Sequence, residues 1–448
     1  MAATPLVPDR PGPMALTALG LVTATVLAAQ IILSRLLTGT MTYYYAFMLV
    51  SLAMLGLAAG GLAVHLFPRW FRPDRLGLHA AWLSAAMGLS AFLGTFGMLW
   101  LYPKIKLVGA HQFSTADYGL LAGIFWFLFP FFLFGGTVVS LVLSHGRARF
   151  HVLYTVDLAA AGGGCLLAVL VLGVMSPVEA MLRIAALLPL LAGALFALAD
   201  GRRWLGAIAL WLAFLVVVGA QTAARFPEVI NPPHLATLLR PTVLTAWNAQ
   251  SVVRVYRGPF FTWSLSETYR GPKSPMLNLL IDGVGGTPIV AFDGDPQTLR
   301  RYDYLDYDLT ALAHRLVDPA GRQLIIGPGG GVDILQAVRH GRQDITAVEI
   351  NPLVRDVVND ALGEFSGRPY ALPGVHVAIE NGRTFVKRSP QAWDLISLTW
   401  VDTGGSASAL VFSENYLYTV EAYHEFLQHL RPNGMFGFLR ALGYQELI

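Results

Sequence analysis

The pattern of apolar and polar positions divides the chain into two parts. Long apolar segments follow one another as far as residue 224, and short apolar runs separated by polar turns fill the rest. Seven segments have the roughly 20 mainly apolar residues that a bilayer-crossing helix needs. They lie near 14–34, 43–66, 77–101, 119–143, 152–175, 178–199 and 204–223. Residues 1–224 are therefore predicted to form a multi-span helical membrane bundle of about seven helices.

The second part shows the alternation of strands and helices that is typical of an α/β domain. Residues 225–247 are rich in proline and predict a linker, and residues 248–300 predict a small antiparallel β-layer with strands at 251–256 and 276–282. Within residues 301–448 an amphipathic helix is expected at 302–316. Strands are expected at 324–326, 345–349, 375–379, 394–399 and 435–439. This order predicts a methyltransferase-like (Rossmann-like) domain with a parallel, doubly wound sheet.

A glycine-rich turn follows the first of these parallel strands. Gly327, Gly329 and Gly331 precede a helical stretch, so a ligand can approach backbone that carries no Cβ. Glu349 ends the next strand 22 positions after Gly327, close to the spacing at which an acid accepts hydrogen bonds from both ribose hydroxyls. The combination predicts nucleoside binding. The alternative is a tight strand-to-helix turn beside a solvated glutamate.

Composition and charge narrow the possible partners. The chain has 448 residues, of which 55% are hydrophobic and 13% charged. Residues 1–224 hold 12 Lys and Arg against 6 Asp and Glu, and residues 225–448 hold 19 against 22. An acidic second part argues against nucleic acid as a partner and favours a cation such as an amine. The single cysteine, Cys165, excludes a disulfide framework within one chain.

The basic residues of the first part give conflicting information on orientation. Arginines collect in three loops that lie on one side, at positions 69, 72, 75, 147, 149, 202 and 203, against lysines 104 and 106 on the other. The positive-inside rule then places the N-terminus in the cytoplasm and, after seven spans, the second part outside. Nucleoside cofactors are cytosolic, so we instead predict a multi-pass protein of the inner (plasma) membrane with a cytoplasmic C-terminal domain.

One acid lies inside a predicted span. Asp157 precedes Gly162, Gly163 and Gly164 in the fifth apolar segment. An ionisable group at this depth is costly and often marks a polar site within a helical bundle. The alternative is an aspartate near the membrane interface, in a helix whose glycines allow close packing.

The motifs of the second part resemble those of the spermidine synthases, the polyamine aminopropyltransferases. They occur in the same order: Leu280-Ile-Asp-Gly, Tyr307 with His314, Gly327-x-Gly-Gly-Gly, Glu349-Ile-Asn, Asn381-Gly382, Asp394-Leu-Ile-Ser and Phe412-Ser-Glu-Asn-Tyr-Leu-Tyr418. The resemblance covers residues 250–443 and is closest to the branch in which a multi-helix membrane unit precedes the synthase-like domain. It implies binding of decarboxylated S-adenosylmethionine or S-adenosylmethionine and an amine or polyamine acceptor. The sequence lacks a His-Glu-x-x-His zinc pattern, so no metal is expected.

The resemblance also implies a set of site residues. Those expected to bind the cofactor are Gly327, Gly329, Gly330, Gly331, Asp333, Glu349, Asn381 and Gly382. The reactive residues are expected at Thr399 and Asp402.

Several positions depart from the family pattern. Thr399 stands where the family has the aspartate that deprotonates the acceptor, so Asp402, which matches the second family acid, is the candidate base. Gly330 replaces the acid that holds the amino tail of the cofactor, and Asp333 is a possible substitute. The glutamine after the Asp-Gly turn is replaced near Gly286. Asn381 replaces the aspartate that meets adenine but keeps a carbonyl acceptor.

The sequence therefore predicts a membrane-integral, spermidine-synthase-like transferase with an altered catalytic motif. Two other functions stay open: methyl transfer from S-adenosylmethionine to a lipid-soluble acceptor, and a non-catalytic nucleoside sensor that regulates a membrane transporter or scaffold. The acceptor and a homo-oligomeric state are also left open.

Overall fold

The fold was analysed in a computed structural model of the chain. The structure describes residues 12–40, 44–105, 107–108, 112–113, 115–145, 149–223, 242–257, 264–282, 285–401 and 417–439. Two compact units are present. The first comprises Met1–Leu238 with Trp247–Ala249, and the second comprises Leu239–Ala246 with Gln250–Ile448.

The first unit contains the seven long apolar helices that the sequence predicts. They are α1 (Pro13–Thr40), α2 (Tyr44–Leu66), α3 (Leu76–Leu101), α4 (Thr115–His145), α5 (Phe150–Leu172), α6 (Pro177–Ala199) and α7 (Arg203–Ala223). Helix α6 contains a π-helical stretch at Met181–Ala185. Two antiparallel strands of two residues each, β1 (Leu107–Val108) and β2 (Gln112–Phe113), precede α4. The sequence did not predict them. Each of the seven helices is long and apolar enough to cross a membrane.

Small residues set the closest helix contacts of this unit. A Cβ added at Gly136 of α4 would lie 2.6 Å from the Leu57 Cα of α2, and one added at Gly60 would overlap the Thr137 backbone. Contacts this close let the backbones of the two helices pack directly against each other.

Asp157 joins two helices of the bundle. The Thr23 hydroxyl of α1 donates a 2.6 Å hydrogen bond to the Asp157 carboxylate of α5. Two turns further along α5, Gly164 packs directly against the Ala24 backbone of α1. The glycine-mediated packing predicted for this helix is thus present at Gly164, and the aspartate is hydrogen-bonded across the contact.

A four-stranded sheet opens the second unit. Its order is β3 (Thr242–Trp247), β4 (Val252–Arg257), β5 (Met276–Ile281) and β6 (Gly285–Val290), with antiparallel pairing of β4 with β5 and of β5 with β6. The sequence predicted β4 and β5 but missed the other two strands. Strand β3 lies in the stretch that was predicted to be a linker. Strand β6 was not recognised because it contains two glycines and Pro288, which are unfavourable in strands.

The second sheet of this unit is parallel and has the predicted doubly wound topology. Its strands are β7 (Gln323–Ile326), β8 (Ile345–Glu349), β9 (Val375–Ile379), β10 (Trp393–Thr399) and β11 (Leu430–Leu439). They lie in the order β11-β10-β7-β8-β9, and every neighbouring pair is parallel. All four residues of β7 are buried, as expected of a central strand covered on both faces.

Helices and the small sheet cover the two faces. The helices are α8 (Leu312–Leu316), α9 (Val332–Arg339), α10 (Pro352–Asp356), α11 (Gly363–Ser366), α12 (Gly382–Arg388) and α13 (Val420–Gln428). One core joins Ile325 of β7 and Ile334 of α9 to Leu279 of the small sheet, and a second core joins Ile326 to Phe426 of α13. The small sheet and the parallel sheet therefore share a core.

The prediction of one amphipathic helix at 302–316 is wrong. Short 3-10 turns occupy Asp303–Tyr307 and Leu309–Ala311, and only α8 is α-helical. Asp308 interrupts the segment because its backbone is extended and its carboxylate accepts a hydrogen bond from the Thr310 N–H, a local arrangement that competes with a continuous helix.

Candidate nucleoside and transfer site

The candidate site lies where the direction of the parallel sheet reverses. The chain passes from β7 to β8 on one side and later returns to β10 on the other side of β7. Ligands of open α/β sheets bind outside the carboxyl ends of the strands at such a point. The glycine-rich turn follows β7 here, and Thr399 ends β10 beside it.

The glycines of the turn are required by the packing of the protein itself. Gly329 has φ +53°, and a Cβ there would lie 3.0 Å from the Thr287 hydroxyl of β6. At Gly330 a Cβ would overlap the Pro288 carbonyl oxygen. An acid at position 330, as in the resembling family, does not fit beneath β6. The loss of this acid is thus tied to the close approach of the small sheet.

The Cβ positions of the flanking glycines are also filled by protein. A Cβ at Gly327 would lie 2.9 Å from Val401, and one at Gly331 would lie 2.5 Å from Pro369. Both glycines have positive φ, which favours glycine irrespective of any ligand. The glycine pattern that suggested ligand access is therefore accounted for by chain conformation and packing, and the case for a nucleoside depends on Glu349.

Glu349 is oriented toward the glycine-rich turn by backbone donors. The Gly329 N–H donates to one carboxylate oxygen at 3.2 Å, and the Asn351 N–H donates to the other at 3.0 Å. Glu349 is 5% exposed, and burial raises the pKa of its carboxyl, while the backbone hydrogen bonds act in the opposite direction. A carboxylate fixed in this way still has lone pairs for hydroxyl donors.

Two further side chains support this arrangement: Asn351, from the Glu349-Ile-Asn motif, and Tyr370, which was not singled out from the sequence. The Tyr370 hydroxyl donates to the Gly329 carbonyl oxygen at 2.6 Å, and the Asn351 amide donates to the Ser251 hydroxyl at 2.6 Å. Burial raises the pKa of the Tyr370 phenol well above its usual value. Tyr370 lies 41 residues from Gly329, and Asn351 lies 100 residues from Ser251. No local sequence pattern therefore predicts these two contacts.

A buried carboxyl lies on the other side of the turn. Asp333, in the first turn of α9, is 8% exposed. Burial raises the pKa of Asp333 to about 7, the nearby Asp308 carboxylate acts in the same direction, and the Thr399 bond opposes both. Thr399, which the sequence assigned to a different part of the site, thus lies close enough to influence the pKa of Asp333.

The segment after β10 begins with an unfavourable conformation. Trp400 has φ +52°, which is uncommon for a bulky residue and costs on the order of 1 kcal/mol or more. Its N–H donates to the Leu439 carbonyl oxygen at 2.9 Å, so β11 holds this backbone. Asp402, the base candidate from the sequence, lies outside the described residues, as does most of the Phe412–Tyr418 motif.

Asn381 and Gly382 lie at the start of α12. The Asn381 side-chain oxygen accepts from the backbone N–H groups of Arg383 and Thr384, at 3.1 and 3.2 Å. It therefore caps the helix with the atom that was expected to meet adenine. Gly382 packs against the Ile326 side chain of β7, which brings the helix close to the strand. Adenine recognition by Asn381 stays a prediction.

No group of three or more His, Cys, Asp or Glu side chains suited to hold a metal ion is found among the described residues.

Comparisons with known proteins give an independent view of the second unit. Residues 310–438 match the spermine/spermidine synthase domain. The polyamine aminopropyltransferase of Pectobacterium atrosepticum is 30% identical over 133 residues, which is 29% of this chain and 45% of that protein. Polyamine aminopropyltransferase 1 of Pseudomonas aeruginosa is 29% identical over 130 residues, with the same shares. The chain thus spans about half the length of the curated relatives it matches.

Solved structures were compared as well. A spermidine synthase in complex with the transition state analogue AdoDATO aligns with a TM-score of 0.30 and 15% identity, over 45% of this chain and 56% of that one. The spermidine synthase of Thermotoga maritima aligns with the same TM-score and 16% identity.

The class of this part of the protein follows from the sequence matches. The resemblance to spermidine synthases that the motifs predicted is confirmed for residues 310–438, which match the spermine/spermidine synthase domain. Membership of the membrane-fused branch stays a prediction.

Proposed function

We propose that the chain is a membrane-integral transferase that moves an aminopropyl group from decarboxylated S-adenosylmethionine to an amine. The observation that carries this proposal is the Glu349 carboxylate, held by the Gly329 and Asn351 N–H groups at the switch point of a spermidine-synthase-like sheet. A fixed acid at this place suits the two ribose hydroxyls of the cofactor. The relatives that match are polyamine aminopropyltransferases, which supports the reaction type.

The proposed reaction is a direct displacement. The lone pair of the acceptor amine attacks the methylene carbon next to the sulfonium, the carbon–sulfur bond breaks, and its electron pair stays on sulfur in methylthioadenosine. The amine must lose one proton to a base. Thr399 cannot take this proton, which leaves Asp402, the candidate from the sequence, and Asp333, which lies against Thr399.

Methyl transfer from S-adenosylmethionine is the second candidate function, and one observation favours it. Gly330 offers no carboxylate to the amino tail of decarboxylated S-adenosylmethionine, and the Pro288 carbonyl oxygen occupies the place of its side chain. The reactive side therefore lacks one contact by which the resembling family distinguishes the decarboxylated cofactor.

The full-length protein in detergent tests these proposals. Calorimetry with methylthioadenosine measures nucleoside binding, and mass spectrometry detects products from putrescine with either cofactor. Aminopropylated putrescine and released methylthioadenosine support the proposal. A methylated product obtained only with S-adenosylmethionine replaces it with the methyltransferase, and binding without any product favours the nucleoside sensor.

The membrane part of the proposal is supported by the outer surface of the helical unit. Large apolar side chains there are exposed, among them Trp126 at 74%, Leu170 at 71% and Phe214 at 62%. Exposed apolar surface on helices of this length suits a lipid environment.

A reporter fused after residue 240 tests the sidedness. We expect the activity of a cytoplasmic reporter, because both cofactor candidates are cytosolic. Activity of a periplasmic reporter would contradict the proposed location and would agree with the loop arginines.

A further inference from the structure

The peptide unit between Gly329 and Gly330, inside the glycine-rich turn, is held from two directions. The Tyr370 hydroxyl donates to its carbonyl oxygen at 2.6 Å, and the Thr287 hydroxyl accepts from its N–H at 2.9 Å. The C=O and N–H of a planar trans peptide point in opposite directions. Tyr370 and Thr287 therefore contact opposite ends of one peptide unit, and rotation of that unit would break both hydrogen bonds.

We propose that Tyr370 and Thr287 are positioning residues for nucleoside binding. They fix the peptide unit after Gly329, so that the Gly329 N–H holds the Glu349 carboxylate in place for the ribose. That N–H donates to Glu349 at 3.2 Å and belongs to the residue whose carbonyl oxygen Tyr370 contacts. This inference rests on the proposed nucleoside binding and does not depend on which group is transferred.

A turn of this composition needs such support. Gly329 has φ +53°, and glycine loses more conformational freedom on ordering than any other residue. The ends of the turn are held by backbone hydrogen bonds, since the Gly327 N–H donates to the Val348 carbonyl oxygen and the Gly331 N–H donates to the Pro328 carbonyl oxygen, both at 2.8 Å. The peptide unit after Gly329 is held by side chains instead. A turn that is ordered before the ligand arrives saves the ordering cost on binding.

Both hydroxyls come from packed elements. Tyr370 lies in the 3-10 turn Pro369–Ala371, and its ring is buried in the core of the second unit. The chain enters this turn through Gly367, which has φ +69° and where a Cβ would overlap the Phe292 ring. Thr287 is fixed by the pairing of β6 with β5. The two elements thus meet at one peptide unit of the glycine-rich turn.

The alternative role of these hydroxyls is stability alone, because a buried hydroxyl with a partner stabilises any fold. The two roles differ in a measurable way. A positioning role acts through Glu349, so its effect on ligand affinity disappears when the Glu349 carboxylate is absent. A loss of stability alone would weaken binding to the same extent with and without Glu349.

The first measurement is calorimetry of the full-length protein in detergent with methylthioadenosine. Tyr370→Phe and Thr287→Val each remove one hydroxyl and keep the shape of the side chain, and each should raise the Kd roughly threefold to tenfold. Thr287→Ser keeps the hydroxyl and should stay within about twofold of wild type. Tyr302→Phe is the matched control, because the Tyr302 hydroxyl donates to the Ala291 carbonyl oxygen at 3.1 Å instead of to the turn. It should leave the Kd unchanged.

The decisive measurement combines Tyr370→Phe with Glu349→Ala. In the Glu349→Ala background, Tyr370→Phe should change the Kd by less than about twofold, because the two residues act through one interaction. The preference for methylthioadenosine over its 2′-deoxy analogue should also fall in Tyr370→Phe, since Glu349 is the group proposed to contact the ribose hydroxyls. An equal loss of affinity in both backgrounds, or a wild-type Kd in Tyr370→Phe, would overturn the positioning role.

The Thr287 variants keep the inference testable if Tyr370→Phe does not fold. Equal Kd values for Thr287→Val and Thr287→Ser would then overturn it. Absence of methylthioadenosine binding by wild type would instead count against the proposed nucleoside site itself. The failure of the site and the failure of the positioning role are therefore distinguishable.

Discussion

The two sides of the candidate site differ in how they compare with the resembling family. On the nucleoside side, Glu349 ends β8 as the family pattern requires, and two backbone N–H groups hold its carboxylate against the glycine-rich turn. On the reactive side, positions 330 and 399 have lost their acids, and a buried acid at 333 lies against Thr399. The acid expected on the nucleoside side is thus present, whereas the acids expected on the reactive side are replaced and a different carboxyl, Asp333, is buried there.

The cause of the difference lies in what each side contacts. The Glu349 side is built from β7, β8 and the turn between β7 and α9, which belong to one continuous stretch of chain. The reactive side is built where β6, α9 and β10 meet, and β6 leaves no room for a side chain at Gly330. The small sheet contacts both sides, because Thr287 of β6 also lies against Gly329, whose N–H holds Glu349.

The largest effect is expected when a carboxylate is restored at the family position. Thr399→Asp should raise turnover with putrescine and decarboxylated S-adenosylmethionine by roughly 100-fold or more, because it rebuilds the acid that deprotonates the acceptor amine in the resembling family. The Kd for methylthioadenosine should be unchanged, because the Glu349 carboxylate and its backbone donors are not altered. Equal turnover of Thr399→Asp and wild type would show that the missing acid at this position does not limit the transfer.

A second prediction concerns the nucleoside side. Glu349→Ala should weaken methylthioadenosine binding by about 2 kcal/mol or more, roughly 30-fold, through loss of charge-assisted hydrogen bonds. Glu380 follows the neighbouring strand and pairs with Arg388 at 2.7 Å, so Glu380→Ala is the matched control. Calorimetry measures both affinities. Equal affinity of Glu349→Ala and wild type would remove the main support for nucleoside binding.

The smallest effect concerns the pH dependence of the unfolding temperature, to which the buried Asp333 contributes. The pKa of Asp333 in the folded protein, about 7, lies above the ordinary carboxyl value. Asp333 therefore favours folding while it is protonated, and this contribution is lost as pH rises through about 7. Asp333→Asn avoids ionisation in the buried site, so its unfolding temperature should exceed that of wild type at pH 8. The difference should shrink toward pH 4, and a constant difference would contradict the buried, titrating carboxyl.

Local pattern was sufficient for the features that neighbouring residues control. The seven long helices follow from apolar length, and the parallel strands follow from short apolar runs between turns. The position of Glu349 was predictable because a strand, a turn, a helix and a second strand fix the distance between the turn and the acid. Strand β6 was missed because its glycines and Pro288 are unfavourable in strands. In the folded protein, pairing with β5 outweighs this local preference.

What the sequence by itself determined is the architecture of the two parts and the acid that faces the glycine-rich turn. Tertiary structure decided the reactive side. It brought the Pro288 carbonyl oxygen against Gly330 and the Thr399 hydroxyl against Asp333, contacts between elements far apart in the chain. It also gave the side-chain oxygen of Asn381 a capping role at α12. The physical reason is that residue type and spacing fix local geometry, whereas burial, acceptor capacity and the pKa of a carboxyl depend on which distant elements pack around it.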